Sequence, residues 1–289
     1  MSHNPQPPSP WFALPGHRVI ALEGRDALAF LQSQCMNDVE AAPPGRWQWN
    51  GWLTPKGRVI ALFALVRISA EAAWLIVPDA DADQLAAQLQ RFVLRRQLVM
   101  QVRDDLHVAG RFEGPDKAAG ASFAGSPDAG IELDLTGFGL RRSLHIASGT
   151  PAPFDEDAQM RWRASDLRLG FPRLPESQQE QWTPQMLSLD RLHAFSVKKG
   201  CYPGQEIVAR THFLGQVKRG LHMFECPNEP EVGANVEVGA APLGQIVSSA
   251  RNGEGWIALA VLPVDRPEAV VATKGMALRE RALLAGLAR

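Results

Sequence analysis

Phe195-Ser-Val-Lys-Lys-Gly-Cys-Tyr-Pro-Gly-Gln-Glu-Ile-Val-Ala-Arg210, running on to Lys218-Arg219, is a stretch that no ordinary helix or strand requires. Two lysines, a glycine, a cysteine, a tyrosine, a proline and a second glycine follow one another from Lys198 to Gly204. Gly200 and Gly204 permit positive φ or close backbone approach, while Pro203 removes an amide donor and fixes its own φ. The composition predicts a shaped loop that presents Cys201. Gln205-Glu206 then leads into apolar Ile207-Val208-Ala209, the entry to a buried strand or a helix start.

The chemistry at Cys201 follows from its neighbours. The thiolate is the nucleophile and the metal ligand, and nearby cations or oriented amides lower a thiol's pKa. Lys198, Lys199, Arg210 and Arg219 are the candidate cations. Two readings stand side by side: an activated thiol, or a small packed thiol in a tight turn whose lysines face solvent.

Outward from this loop, composition narrows the class. A chain of 289 residues exceeds the usual single domain, so two or three are expected. A net charge of −1 argues against a strongly basic nucleic-acid binder. Cys35, Cys201 and Cys226 are too few and too irregularly spaced for a disulfide framework or a zinc signature, so no metal site is expected. With a Pro-rich, polar stretch from Met1 to Pro10, no secretory pattern and no run of about 20 apolar residues, the expected location is the cytoplasm, away from membranes.

Periodicity predicts mixed α and β structure. Strands are expected at Arg18–Leu22, Trp47–Trp52, Val59–Ile68 and Ala73–Val77, with helices from Ala27 to about Gln34 and from Asp79 to Arg96. Trp47-Gln-Trp-Asn-Gly-Trp52 alternates as a half-buried strand does. Cys35 falls on the buried side of its helix, and Asn37-Asp38 reads as a cap and turn. Further strands are expected at Leu98–Val102, His107–Phe112, Ile131–Leu135 and Arg141–Ile146, around a loose Gly/Ala-rich insert between Gly114 and Gly130. His107 and His145 read as structural. A helix over Asp155–Leu169 stops at Gly170-Phe-Pro172. Beyond Arg219, short runs separated by Gly, Pro and Asn predict a small antiparallel barrel or sandwich, with Cys226 structural. The expected domains are 11–100, 101–215 carrying the Cys201 loop and discontinuous with the first if need be, and 216–289.

Lys-Gly-Cys-Tyr-x-Gly-Gln-Glu, followed by Arg210 and Lys218-Arg219, resembles the signature of the YgfZ-type folate-binding proteins, relatives of the glycine-cleavage T-protein (aminomethyltransferase). The resemblance extends to Phe30-Leu-Gln-Ser-Gln34…Asp38, to Lys56-Gly-Arg58, to Trp162…Gly170-Phe-Pro-Arg173 and to Thr183-Pro-Gln185. It implies an α+β, T-protein-like ring of modules around a central cavity, with a C-terminal antiparallel β-barrel. The implied cofactor is tetrahydrofolate or a one-carbon derivative. Trp162, Gln185, Gln34, Asp38, Lys56 and Arg58 would contact it.

Gly200, Tyr202, Gly204, Gln205 and Glu206 would shape the loop. Cys201 would act as nucleophile, redox thiol or transient iron ligand, with Lys198, Lys199, Arg210 and Arg219 keeping it partly thiolate. The implied role is a folate-dependent accessory to assembly or repair of iron–sulfur enzymes, influencing tRNA modification through the enzymes that thiolate tRNA. The implied partners are iron–sulfur client or assembly proteins, with no direct nucleic-acid contact. A cluster normally takes four protein ligands, so Cys201 alone does not hold one.

One departure matters. Arg168 stands where aminomethyltransferases keep the carboxylate that grips the pterin, and a guanidinium cannot accept hydrogen bonds. A folate-dependent aminomethyl-type transferase and a non-catalytic interaction scaffold are the two rival readings.

Overall fold

The computed structural model describes residues 10–239, 241–266 and 271–289. The Pro-rich stretch at residues 1–9 lies outside them. In chain order the elements begin β1 (Phe12–Ala13), β2 (Arg18–Glu23), α1 (Ala27–Gln34), β3 (Arg46–Leu53), β4 (Val59–Arg67), β5 (Ala72–Val77), α2 (Ala82–Gln90) and β6 (Val99–Val102). There follow β7 (Leu106–Arg111), β8 (Ala124–Ser126), β9 (Gly130–Asp134), β10 (Ser143–Ser148), α3 (Glu156–Arg168) and α4 (Gln205–Phe213). The chain ends with β11 (Arg219–Cys226), β12 (Asn235–Val238), β13 (Ala241–Asn252), β14 (Gly255–Pro263), β15 (Val271–Thr273) and β16 (Met276–Arg281).

Three sheets result. One has the order β3-β4-β5-β2-β6, the second β1-β7-β10-β9-β8, and the third is a closed antiparallel barrel, β11-β14-β13-β12-β15-β16. Closure leaves the barrel without free edges. The fold is therefore α+β with a C-terminal barrel. Among the described residues no helix is long and apolar enough to cross a membrane.

One apolar core joins the modules. It gathers Trp47 and Trp49 from β3, Leu133 and Leu144 from the second sheet, Trp162 from α3 and Leu259 from the barrel. A separate core lies between the other face of the first sheet and helices α1 and α2, and includes Cys35. β3 is therefore buried along both faces rather than half-buried, because each face meets a core. Burial pushes the Cys35 thiol up to about 12, against the opposing influence of Lys199.

The chain crosses between modules more than its blocks of pattern suggest. β1 pairs with β7, so Phe12 belongs to the second sheet. β6 pairs with β2, so Val99–Val102 belongs to the first. After β16, residues 283–289 leave the barrel: Trp49 Nε1 donates to the Leu287 carbonyl at 2.7 Å, and Arg289 donates to the carbonyls of Asp134 and Thr136.

Two expectations change. The helix after Asp79 spans only Ala82–Gln90, capped by the Asp81 carboxylate, with Phe92 and Leu94 exposed beyond it. The insert between Gly114 and Gly130 is anchored: Glu132 accepts from the amides of Asp116, Lys117 and Ala118. A buried carboxylate that satisfies three amides orders a segment whose composition alone reads as loose.

Candidate functional site

α3 is the element around which a first site forms. Asp155 caps it through the Ala158 amide, and its buried side presents Trp162, Ser165 and Asp166. Asp166 accepts from Arg142 Nη1 at 2.7 Å and from Arg173 Nη1 at 3.0 Å, and Arg173 grips Asp79 through Nε at 2.8 Å. Burial works against the Arg173 charge, but Asp79 and Asp166 outweigh it and hold the guanidinium above its ordinary pKa. Arg142 also lies over the Trp162 ring, 4.6 Å from its centroid.

This network floors two connected spaces. An inner cavity of about 20 Å³, room for a single water, is walled by Trp47, Trp49, Trp162 and Phe171, with Asp166 and His17 as its polar members. Outside it opens a cleft of about 680 Å³ that shares His17, Pro78 and Trp162 with the cavity and adds Gln159, Arg163 and Arg173. The His17 imidazole is pushed well below its ordinary pKa by burial first, then by Arg173 and Arg142, so it is a neutral donor–acceptor at neutral pH. Arg163 is lowered by burial and by Arg173, and its Nε is tied to the Ser249 carbonyl of the barrel. Gln159 Nε2 is buried without a partner among the described residues. Trp162 is 1% exposed, its ring packed by Arg142, Phe12 and Phe112, so it meets the cleft only at its edge, while Arg163 can take an anionic group.

The cysteine loop is a second, separate place. No residue of Phe195–Arg219 lines the cleft or the cavity. The loop packs on the first sheet instead, where the Ser196 amide donates to the Met36 carbonyl. Gly204, at φ 79°, opens α4; a Cβ there would come within 2.6 Å of Gly57 Cα and of the Thr54 carbonyl. Of the two continuations considered for Ile207-Val208-Ala209, the chain takes the helix start. Cys201 is exposed, whereas Cys35 and Cys226 are buried.

Several residues singled out from sequence hold other posts. Lys199 does not face Cys201: its Nζ is buried and donates to the carbonyls of Cys35 at 2.6 Å and Asn37 at 2.9 Å. Desolvation pulls its pKa down to about 8, with Cys35, Asp38 and Glu40 opposing. Tyr202 donates to the Ser196 carbonyl and lies under Lys199, and burial pushes its phenol up to about 12. Gln205 Nε2 holds the Lys199 carbonyl. Arg219 donates to the Leu243 carbonyl of the barrel. Lys198, Gly200, Glu206 and Arg210 are exposed around Cys201.

The expected folate contacts divide. Trp162 walls both spaces. Gln185 does not line either; it donates to the Val208 carbonyl and braces α4. Asp38 caps its own turn, accepting from Gln32 and from the Ala41 amide. Gln34 contacts Ser33, away from the cavity. Lys56 is an exposed turn residue, and Arg58 donates to the Gln181 carbonyl, clamping the segment before Gln185. Arg168 points to solvent at the end of α3, so the carboxylate at the cavity is Asp166, two residues earlier. Sequence matching missed Asp166 because it aligns the helix end; its position four residues after Trp162, one helical turn, is the signal that finds it.

No family model matches the chain. A tRNA-modifying protein YgfZ from Serratia proteamaculans is 27% identical over 267 residues, covering 83% of this chain and 80% of that protein. An uncharacterised Haemophilus influenzae protein is 27% identical over 234 residues, covering 80% and 79%. The crystal structure of the glycine cleavage system aminomethyltransferase T from Bartonella henselae superposes with a TM-score of 0.76 at 14% identity, over 98% of this chain and 87% of that one. The three-sheet architecture is thus that of the aminomethyltransferase, whereas the sequence similarity, which covers 70–83% of the chain, is to tRNA-modifying proteins YgfZ.

Proposed function

We propose that this protein binds a tetrahydrofolate at the cleft beside α3 and serves tRNA modification through iron–sulfur enzymes, with Cys201 acting toward a partner rather than on the bound folate. The observation that carries the proposal is the cleft itself: a wall of Trp162, a neutral His17 and a partly buried Arg163 around about 680 Å³. The fit to the cofactor is chemical. The unpartnered Gln159 Nε2 offers a donor, the edge of buried Trp162 an apolar wall, and Arg163 a charge for the glutamyl carboxylates. The inner cavity, with room for one water, does not admit a pterin in this conformation, so the ring lies at the Trp162–His17 threshold. Bound there, tetrahydrofolate would supply a one-carbon carrier.

The one-carbon transferase reading is weaker here, because the Asp166 oxygens are already engaged by two guanidiniums and Arg168 faces away. The names of the relatives support the link to tRNA, and the separation of Cys201 from the cleft supports the division of labour. The test is mass spectrometry of thiolated nucleosides in bulk tRNA from a strain lacking this gene. The wild-type gene restores them, and Cys201→Ser does not. Unchanged thiolation on deletion would remove the tRNA role.

A further inference from the structure

We infer that α4 and its flanks form a docking surface for an acidic polypeptide segment with an apolar anchor, seated beside Cys201. This rests on the reading of Cys201 as acting on a partner, and not on folate binding.

Apolar exposure is concentrated here. Phe213 is 64% exposed, Leu214 85% and Val217 42%, and Val264 of the barrel, 52% exposed, joins them because its amide donates to the Lys218 carbonyl. Ile207, on the same side of α4 as Arg210 and Leu214 by helical spacing, carries the stripe back toward Cys201 and packs against the Gly57 turn. A contiguous exposed apolar patch rimmed by polar groups marks an interaction site.

The charge on the rim names the partner. Lys56, next to the Gly57 turn that meets Ile207, and Lys198, Arg210 and Lys218, along the stretch that carries the stripe, make no ion pair among the described residues, which hold fourteen such pairs. Glu206 and Asp265, the latter next to Val264, are the exposed acids beside them. Unpaired cations around an apolar centre complement acidic side chains around an apolar one. A second copy of this chain would set like charges against each other across a two-fold axis. RNA would find phosphate partners but little to stack on, because Leu214, Val217 and Val264 are aliphatic and Phe213 is already edge-on to His212 at 4.9 Å.

The probe is a fluorescent synthetic helix of about four turns with a Leu/Phe stripe flanked by glutamates, titrated by anisotropy into the full-length protein. A lysine-flanked twin and bulk tRNA are run as competitors. Saturable binding of the acidic peptide is expected, weakened at least ten-fold by Leu214→Asp and by Arg210→Glu, with no competition from the lysine twin. Both substitutions are at exposed positions, and unchanged thermal melts show that the fold persists. No binding at millimolar peptide, or equal binding by both variants, overturns the proposal. So does tRNA binding that the same variants abolish, or a wild-type dimer in sedimentation that Leu214→Asp dissolves. Tetrahydrofolate binding by these variants equals wild type; if the peptide binds and folate does not, only the folate reading fails.

Discussion

Lys199 directs its ammonium at the carbonyls of Cys35 and Asn37, and this contact ties the cysteine loop to the first sheet. Lys199→Ala leaves two buried acceptors unpaired and is expected to cost about 2 kcal/mol in denaturant unfolding. The rate of Cys201 alkylation, readable because the other two thiols are buried, is expected to change less than two-fold. A ten-fold slowing would show that Lys199 activates the thiol after all. His17 gives a pH signature. Its folded pKa lies below the unfolded value, so the unfolded chain binds the extra proton and stability falls as pH drops below about 6.5. The slope from this residue is at most about 1.4 kcal/mol per pH unit, and His17→Asn is expected to remove it. An identical acid limb in the variant would place the destabilising proton elsewhere. Residue identity alone marked Cys201, Trp162 and Lys199 as unusual. It did not show where each side chain points, because a lysine two positions from a cysteine is equally free to turn toward it or into the core.

At the scale of elements, α4 depends on one backbone conformation. Gly204 sits at φ 79° with Gly57 and Thr54 against it, so any side chain is strained and crowded at once. Gly204→Ala is expected to cost about 2 kcal/mol or more and to speed proteolysis within Phe195–Arg219. Wild-type stability and cleavage would mean that the turn relaxes freely. The loop glycines and the 3.6-residue spacing of α1 and α3 were legible because they are local. The ends of α2 were not: the apolar spacing runs on through Phe92 and Val93, but the helix ends at Gln90, leaving Val93 partly buried and Phe92 48% exposed. β3 was read as half-buried because alternation reports two faces, not that both are covered.

Across the whole molecule, the features hardest to read are those that join distant segments. β1 crosses to the second sheet, and the stretch after β16 returns to Trp49 and Asp134. Leu287 is buried at 3% and packs against Gly137 on the β9–β10 connection. Leu287→Ala is expected to cost about 3 kcal/mol, measured by chemical denaturation, which a loosely attached tail would not show. The barrel was legible as short strands between glycines, but β15 and β16 were not marked: β15 has three residues, and β16 is mostly exposed and ends in Arg279-Glu-Arg281, which breaks the apolar alternation. Asp166 joins α3 to Arg142 and Arg173 across two modules, and only the folded chain reveals that this carboxylate, not the position of Arg168, meets the cavity.

The folate site is open to titration calorimetry of tetrahydrofolate into wild-type protein, Trp162→Phe and Arg163→Gln, the last two retaining bulk at the cleft. One-site saturable binding, weakened several-fold by each substitution, is expected. Absence of heat at millimolar ligand, or equal affinity in all three proteins, would contradict a folate held between Trp162 and Arg163.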